Sequence, residues 1–244
     1  MARNATPLRV IPLGGLDGIG KNMTAFEYGN DMVLIDAGLM FPDDEQPGID
    51  LVLPDYSYVL ENEDKLRGII ITHGHEDHTG ALPYLLMDLT RKVPIYSSKL
   101  TLGFIEGKLA EHKLVSTRLK EVADGSHLTL GAFNIDFFSM THSIPAALGV
   151  YMRCPAGSVM HTGDFKLDQT PIDGVTPNYQ AINHHAGLGV ALHGGLAQGA
   201  ACLGGHEHRR CRGTPARPRA DQHGGGHLEA CHQGPRQLGR PGHL

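Results

Sequence analysis

One stretch fixes most of what this chain can become: Arg67-Gly-Ile-Ile-Ile-Thr-His73-Gly-His75-Glu-Asp77, continued by His78-Thr-Gly80. Its β-branched apolar run is that of a buried strand, because such side chains fill a pleated, covered surface. The run stops abruptly at three histidines and two carboxylates. A layered α/β fold is therefore expected, with this strand delivering polar groups to its tip. His73 and His75 are two residues apart, so an extended or tightly turned backbone lets both imidazoles face one ion. Asp77 and His78, just beyond, can reach a second. Imidazole combined with carboxylate suits zinc first, with manganese possible.

The flanking sequence builds the scaffold for that tip. Leu8 to Leu13 reads as a strand, then a glycine-rich turn, then strands over Met23–Tyr28 and Met32–Asp36 joined by Gly29-Asn30. Gly15-x-x-x-x-Gly20-Lys21 imitates a phosphate-binding loop. Such a loop needs Ser or Thr where Asn22 stands, and a helix where this strand follows, so a nucleotide site is set aside. Residues 42 to 54 read as an exposed loop near the mouth of the site, and Tyr56 to Leu66 as a short helix. A helix is expected from Asp77 or His78 through Leu89, burying Leu82, Leu85, Leu86 and Leu89 and pointing its positive end at the metals. Further on, a strand over Val93–Ser97, a helix over Thr101–His112, and strands over Leu128–Met140, Leu148–Met152 and Ser158–Met160 are expected. The last of these runs into His161-Thr-Gly-Asp164. The bland alternatives are turn aspartates for Asp36 and Asp164, although Gly163 beside Asp164 lets the backbone approach closely; His142 alone is an unremarkable loop histidine, and His112 and His127 read as surface histidines. Lys166 is either a phosphate contact or a surface charge.

His73-x-His75-x-Asp77-His78 resembles the signature of the metallo-β-lactamase superfamily. Leu13 to Asn22, Leu34 to Gly38, Phe41 to Glu45, Thr72 to Leu82 and His161 to Lys166 are similar to the ribonuclease J family of β-CASP nucleases. The resemblance covers about residues 8 to 183. It implies an αββα sandwich, incomplete here; a disordered carboxy-terminal tail is expected beyond it on composition. It further implies that His142 joins His73 and His75 on one ion, that Asp77 and His78 hold the other, and that Asp164 bridges them. Asp36 would lie beneath and orient ligands. Asp77, Asp164 and His78 would be the catalytic residues, with two zinc ions as cofactors; no substrate-binding residue is assigned. The implied activity is hydrolysis of RNA phosphodiesters, internally and from the 5′ end, in RNA processing and decay. A small-molecule hydrolase of the same superfamily, acting on a thioester or lactam, would use the same ligands, and an inactive fragment is the third reading.

Composition narrows the setting. A net charge of −5 argues mildly against a nucleic-acid partner without excluding a local basic groove. The four cysteines make no disulfide framework, no charged-then-apolar leader precedes the first strand, and no run reaches membrane-spanning length, so a soluble cytoplasmic protein is expected. Two parts are expected: residues 1–183 as a partial metal-binding domain, and residues 184–244 as a Gly/Ala/His/Arg tail, disordered or read out of frame. That tail has no Phe, Tyr, Ile or Lys and one Val, too little apolar surface to offset chain entropy. Cys202, His206, His208 and Cys211 then imitate a zinc finger by composition alone. Impaired activity, and loss or alteration of the family's homo-oligomers, are the corresponding expectations.

Overall fold

The computed structural model describes residues 6–16, 19–42, 46–188, 190–193 and 201–203. One sheet runs in chain order: β1 (Arg9–Gly14), β2 (Met23–Tyr28), β3 (Asp31–Ile35), β4 (Leu66–Ile70), β5 (Ile95–Ser97) and β6 (Leu119–Glu121). The first three strands are antiparallel, and from β3 onward the pairing is parallel. Its crossovers carry α1 (Ser57–Glu61), α2 (Glu76–Thr79), α3 (Leu82–Asp88) and α4 (Lys99–Glu111). The second sheet contains β7 (His127–Leu130), β8 (Phe133–Met140), β9 (Ala147–Cys154) and β10 (Gly157–His161), then, after α5 (Tyr179–Ala186), β11 (Val190–His193) and β12 (Ala201–Leu203). Strands β10 and β11 are parallel and the other neighbours antiparallel.

Strand alternation explains the layers. Met32 and Leu34 of β3 face the helices with Leu82, Leu85, Ile105 and Leu109, while Val33 and Ile35 face the other sheet. In β8 and β9, Phe133, Ile135, Phe137, Val150 and Met152 fill the space between sheets. Phe138 and Tyr151, on the opposite face, pack with Ala181 and Ile182 of α5. Three apolar layers between four structural ones give the expected αββα order. Gly68 of β4 leaves room for the facing sheet, a Cβ there standing 2.8 Å from Leu130 Cδ1.

The structure departs from expectation in three places. The helix expected from Asp77 or His78 to Leu89 is broken: α2 is a single turn ending at Thr79, and α3 begins at Leu82. Pro83 has no N–H for the Thr79 carbonyl and its ring excludes that carbonyl. Gly80 is pressed so closely to Leu39 that a Cβ would stand 2.3 Å from its Cγ. One turn aligns too few peptide dipoles to supply the anion-holding field expected of a long helix. The short strand β6 and the helix α5 were not anticipated, being brief and weakly periodic. Helix α5 crosses the expected boundary at residue 183, and β11 extends the second sheet beyond it, pairing His161 with His193. The expectations for His206, His208, Cys211 and the remainder of the tail lie outside the described residues. Among the described residues, no helix is long and apolar enough to cross a membrane.

Glu27 is the polar exception on the helix-facing side of β2. It follows Met23 and Ala25 in the alternation and is almost fully buried. Tyr58 donates to its Oε2 at 2.5 Å, and Arg9 and Lys65 stand 3.2 and 3.4 Å from its Oε1. Burial alone would raise its pKa, but Tyr58 and the two cations outweigh that and hold it below the usual range. The folded-state pKa is thus below the unfolded one. Its contribution is full above the unfolded pKa and is lost as pH falls through the folded value. Glu27→Gln is expected to cost about 1–3 kcal/mol at neutral pH, with the difference from the parent shrinking in acid. Equal denaturant midpoints at pH 7 would contradict this.

Candidate metal centre

The site begins with the backbone after β3. Asp36 takes a left-handed conformation, φ 61°, and its N–H donates to Ile70 O at 2.8 Å, joining the ends of β3 and β4. Its buried carboxylate accepts from Thr72 N at 2.7 Å and Thr72 Oγ1 at 2.9 Å, and meets His78 Nδ1 at 2.8 Å. The histidine loop is then clasped by main chain. Ala37 N donates to His78 O, Leu39 N to Glu76 O and Asn22 N to Asp77 O, at 2.8, 3.1 and 3.0 Å. Only glycine fits at 38, where a Cβ would lie 1.5 Å from Asp77 O. From the other side, Lys108 of α4 donates to Glu76 Oε2 at 2.5 Å and to Thr79 Oγ1 at 3.2 Å.

Within this clasp the imidazoles converge. His73 Nε2 and His75 Nδ1 are 3.1 Å apart, and the His142 ring stands 4.9 Å from each of theirs between centroids. Thr72 Oγ1 donates to the acceptor-only Asp36 and so accepts the Nδ1–H of His73 at 3.0 Å. That leaves the Nε2 lone pair of His73 facing its neighbours. Strand β8 delivers His142 from the second sheet, and the turn after β10 delivers Asp164. Gly163, with φ 60°, lets that turn approach to where a Cβ would stand 3.0 Å from Thr72. Asp164 Oδ2 is 3.7 Å from His142 Nε2, and Oδ1 is 3.5 Å from His78 Nε2. Asp164 Oδ1 is buried and has no hydrogen-bond partner. A buried carboxylate oxygen among nitrogen lone pairs is costly unless a cation joins them, so the donor set fits a metal.

The electrostatics agree. Burial, reinforced by the other imidazoles, keeps His73 neutral far below the ordinary histidine range. Burial lowers His142 as well, against the pull of Asp164. Asp164 would be raised by burial, but His78 and the other rings hold it below the usual carboxylate range. Neutral imidazole and ionised carboxylate are the ligand forms. For His78, burial works against charge, but Asp36 and Asp164 overcome it and push the pKa up to about 10. Hydrogen-bond directions point the other way. Asp77 accepts from Asn22 Nδ2 at 3.3 Å, and the same nitrogen is 3.0 Å from His78 Nε2. A proton on Nε2 would face an N–H, so this arrangement belongs to the Nδ1–H tautomer with its lone pair at Nε2. We take that form as the one able to bind metal, since carboxylates that favour a proton there favour a metal cation equally.

Two sets of ligand atoms each lie within 4.8 Å of one another: His73, His75 and His142, and His73, His78 and Asp164. His73 belongs to both. Asp77 reaches 3.6 Å from His78 Nε2. Asp36 sits beneath, on Thr72 and His78. His112 contacts Tyr84, and His127 pairs with Asp136, both away from this cluster. Lys166 pairs with Asp168 at 3.0 Å on the surface. Sequence reasoning missed Asn22 as a member of the site, reading it only as the residue that spoils a phosphate loop. Its partners are 55 and 56 residues away, and nothing near it in sequence announces them.

Residues 16–200 match the family described as the metallo-beta-lactamase superfamily. The chain is 44% identical over 191 residues to ribonuclease J of Thermus thermophilus, covering 76% of this chain and 33% of that one. It is 44% identical over 188 residues to ribonuclease J of Corynebacterium glutamicum, covering 77% and 26%. It therefore spans about a third or less of the length of these curated relatives. Among solved structures it is similar to Zn(2+)-bound PqqB from Methylobacterium extorquens, with 11% identity, a TM-score of 0.47, and 68% of this chain and 67% of that one covered.

Two outcomes follow from the geometry. Replacing both His73 and His75 by Ala is expected to abolish tight uptake of divalent metal; full loading in the double variant, measured by elemental analysis, would move the site elsewhere. Gly38→Ala should lower both the melting temperature and metal uptake, because its Cβ displaces the Asp77 backbone. Parent-like values for both would show that the clasp is dispensable.

Proposed function

The chain belongs to the metallo-β-lactamase superfamily, and from that premise we propose that it carries the hydrolytic core of a zinc-dependent ribonuclease, acting on RNA phosphodiesters in the cytoplasm. The observation that supports this most directly is the convergence of two ligand sets on His73, with the carboxylate of Asp164 between His78 of one and His142 of the other and its buried Oδ1 without a hydrogen-bond partner. The names of the ribonuclease J relatives supply the substrate class. When bound, a pair of divalent ions would polarise a phosphate oxygen and make water nucleophilic at neutral pH.

The residues divide the work. His73, His75 and His142 would hold one ion, and Asp77 and His78 the other. Asp164 has two oxygens aimed at different histidines, 3.5 and 3.7 Å away, which suits a bridging carboxylate. Asp77, the more exposed of the two acids, would assist by taking up the proton of the attacking water. Asp36 and Thr72 hold His78 and His73 in the tautomers that present Nε2 to a cation. Both internal cleavage and 5′ to 3′ removal of nucleotides belong to this proposal.

The test is hydrolysis of a 5′-monophosphorylated RNA oligomer with zinc or manganese, beside a thioester of similar size. Slow cleavage of the RNA, well below that of a ribonuclease J relative of full length, is expected, lost on chelation and in Asp164→Ala; no metal-dependent cleavage of either compound would leave the inactive-fragment reading. Asp164-dependent turnover of the thioester but not of the RNA would replace this reading with a small-molecule hydrolase.

A further inference from the structure

We infer that Asn22 is a positioning residue for the second metal position, its side-chain amide fixing the carboxylate of Asp77 before metal arrives; this rests on the two-ion reading above. Asn22 is 9% exposed. Its backbone is held on both sides, donating from N to Asp77 O at 3.0 Å and accepting at O from Gly38 N at 2.9 Å. With the main chain clamped, the side chain has little choice of direction. Because an ionised carboxylate only accepts, the amide nitrogen must be the atom that faces Asp77 Oδ2. Its remaining N–H is aimed at His78 Nε2, the ring edge opposite Asp36, and that contact would give way where Nε2 takes an ion, leaving the amide on Asp77. One amide thus touches both side chains proposed for the second ion.

This also accounts for the glycine-rich segment that no nucleotide site explains. Gly15, with φ 79°, lies where a Cβ would stand 2.5 Å from Asn22 Oδ1. Any side chain there would push the amide out of place. Gly20 and Lys21, with φ 102° and 55°, then turn the chain sharply so that Asn22 enters β2 beneath the histidine loop. Gly15, Gly20 and Lys21 thus help to seat the amide.

A partly exposed aspartate must lose rotamer freedom to bind metal, and a fixed donor removes part of that cost in advance. The effect should be confined to one ion. Cobalt(II) is added in equivalents to the full chain, with visible absorption as the readout, for the parent and Asn22→Ala; metal-free melting temperatures are recorded alongside. The first equivalent should bind as in the parent, while the second weakens by about 10- to 100-fold and its absorption bands shift. If Asn22→Ala does not fold, Asn22→Leu keeps the volume without the donor and is read the same way. Parent-like affinity and spectrum for both equivalents would overturn the inference, as would equal weakening of both with a lower metal-free melting temperature. A parent that takes up only one equivalent would instead bring down the two-ion reading itself.

Discussion

A single buried carboxylate, that of Asp36, ties the ligand loop to the sheet. It is held in a left-handed backbone conformation, which costs a non-glycine residue about 1–3 kcal/mol. Its burial costs more. What offsets both is a full set of partners: the Thr72 amide, the Thr72 hydroxyl and His78 Nδ1. Those partners carry the consequence onward. Thr72 fixes the ring of His73, and His78 is turned so that its Nε2 edge faces Asn22, Asp164 and Asp77. A structural anion thus sets which nitrogen of each neighbouring imidazole is available.

The centre lies on the seam between the two sheets. His73, His75, Asp77 and His78 come from the tip of β4, whereas His142 and Asp164 follow β8 and β10 of the opposite sheet. Thr72 connects the halves, since its carbonyl accepts from Leu148 N at 3.0 Å and its side chain abuts Gly163. Packing between the sheets, from Phe26 and Val33 to Phe137 and Val150, therefore sets the separations among these candidate ligands. A cavity in that layer would shift them, because a close-packed interior transmits strain.

The polar groups buried elsewhere follow the same rule. Glu27 is covered by α1 and balanced by one hydroxyl and two cations, whereas Asp164 keeps an oxygen with no donor. The first is fully satisfied by protein and serves stability. The second is not, which makes Asp164 the residue of the pair suited to a ligand role.

Much of the architecture was legible because it is written in short-range periodicity. Alternation located β2, short apolar stretches located β3, β8, β9 and β10, and the apolar run into His73 located the central strand. The spacing of His73, His75, Asp77 and His78 spoke of metal chemistry because a few residues of backbone decide which of them can share an ion. The break between α2 and α3 was partly written in Pro83 but settled by Leu39 pressing on Gly80. The place of Asp36 beneath the histidines was legible only through the family resemblance, not through its own neighbours. What the tertiary structure alone decided is that His73 belongs to two ligand sets and that Asn22 reaches Asp77 across 55 residues. Such contacts depend on the packing of two sheets and on main-chain hydrogen bonds between loops, and a side chain's own neighbours in sequence carry no trace of them.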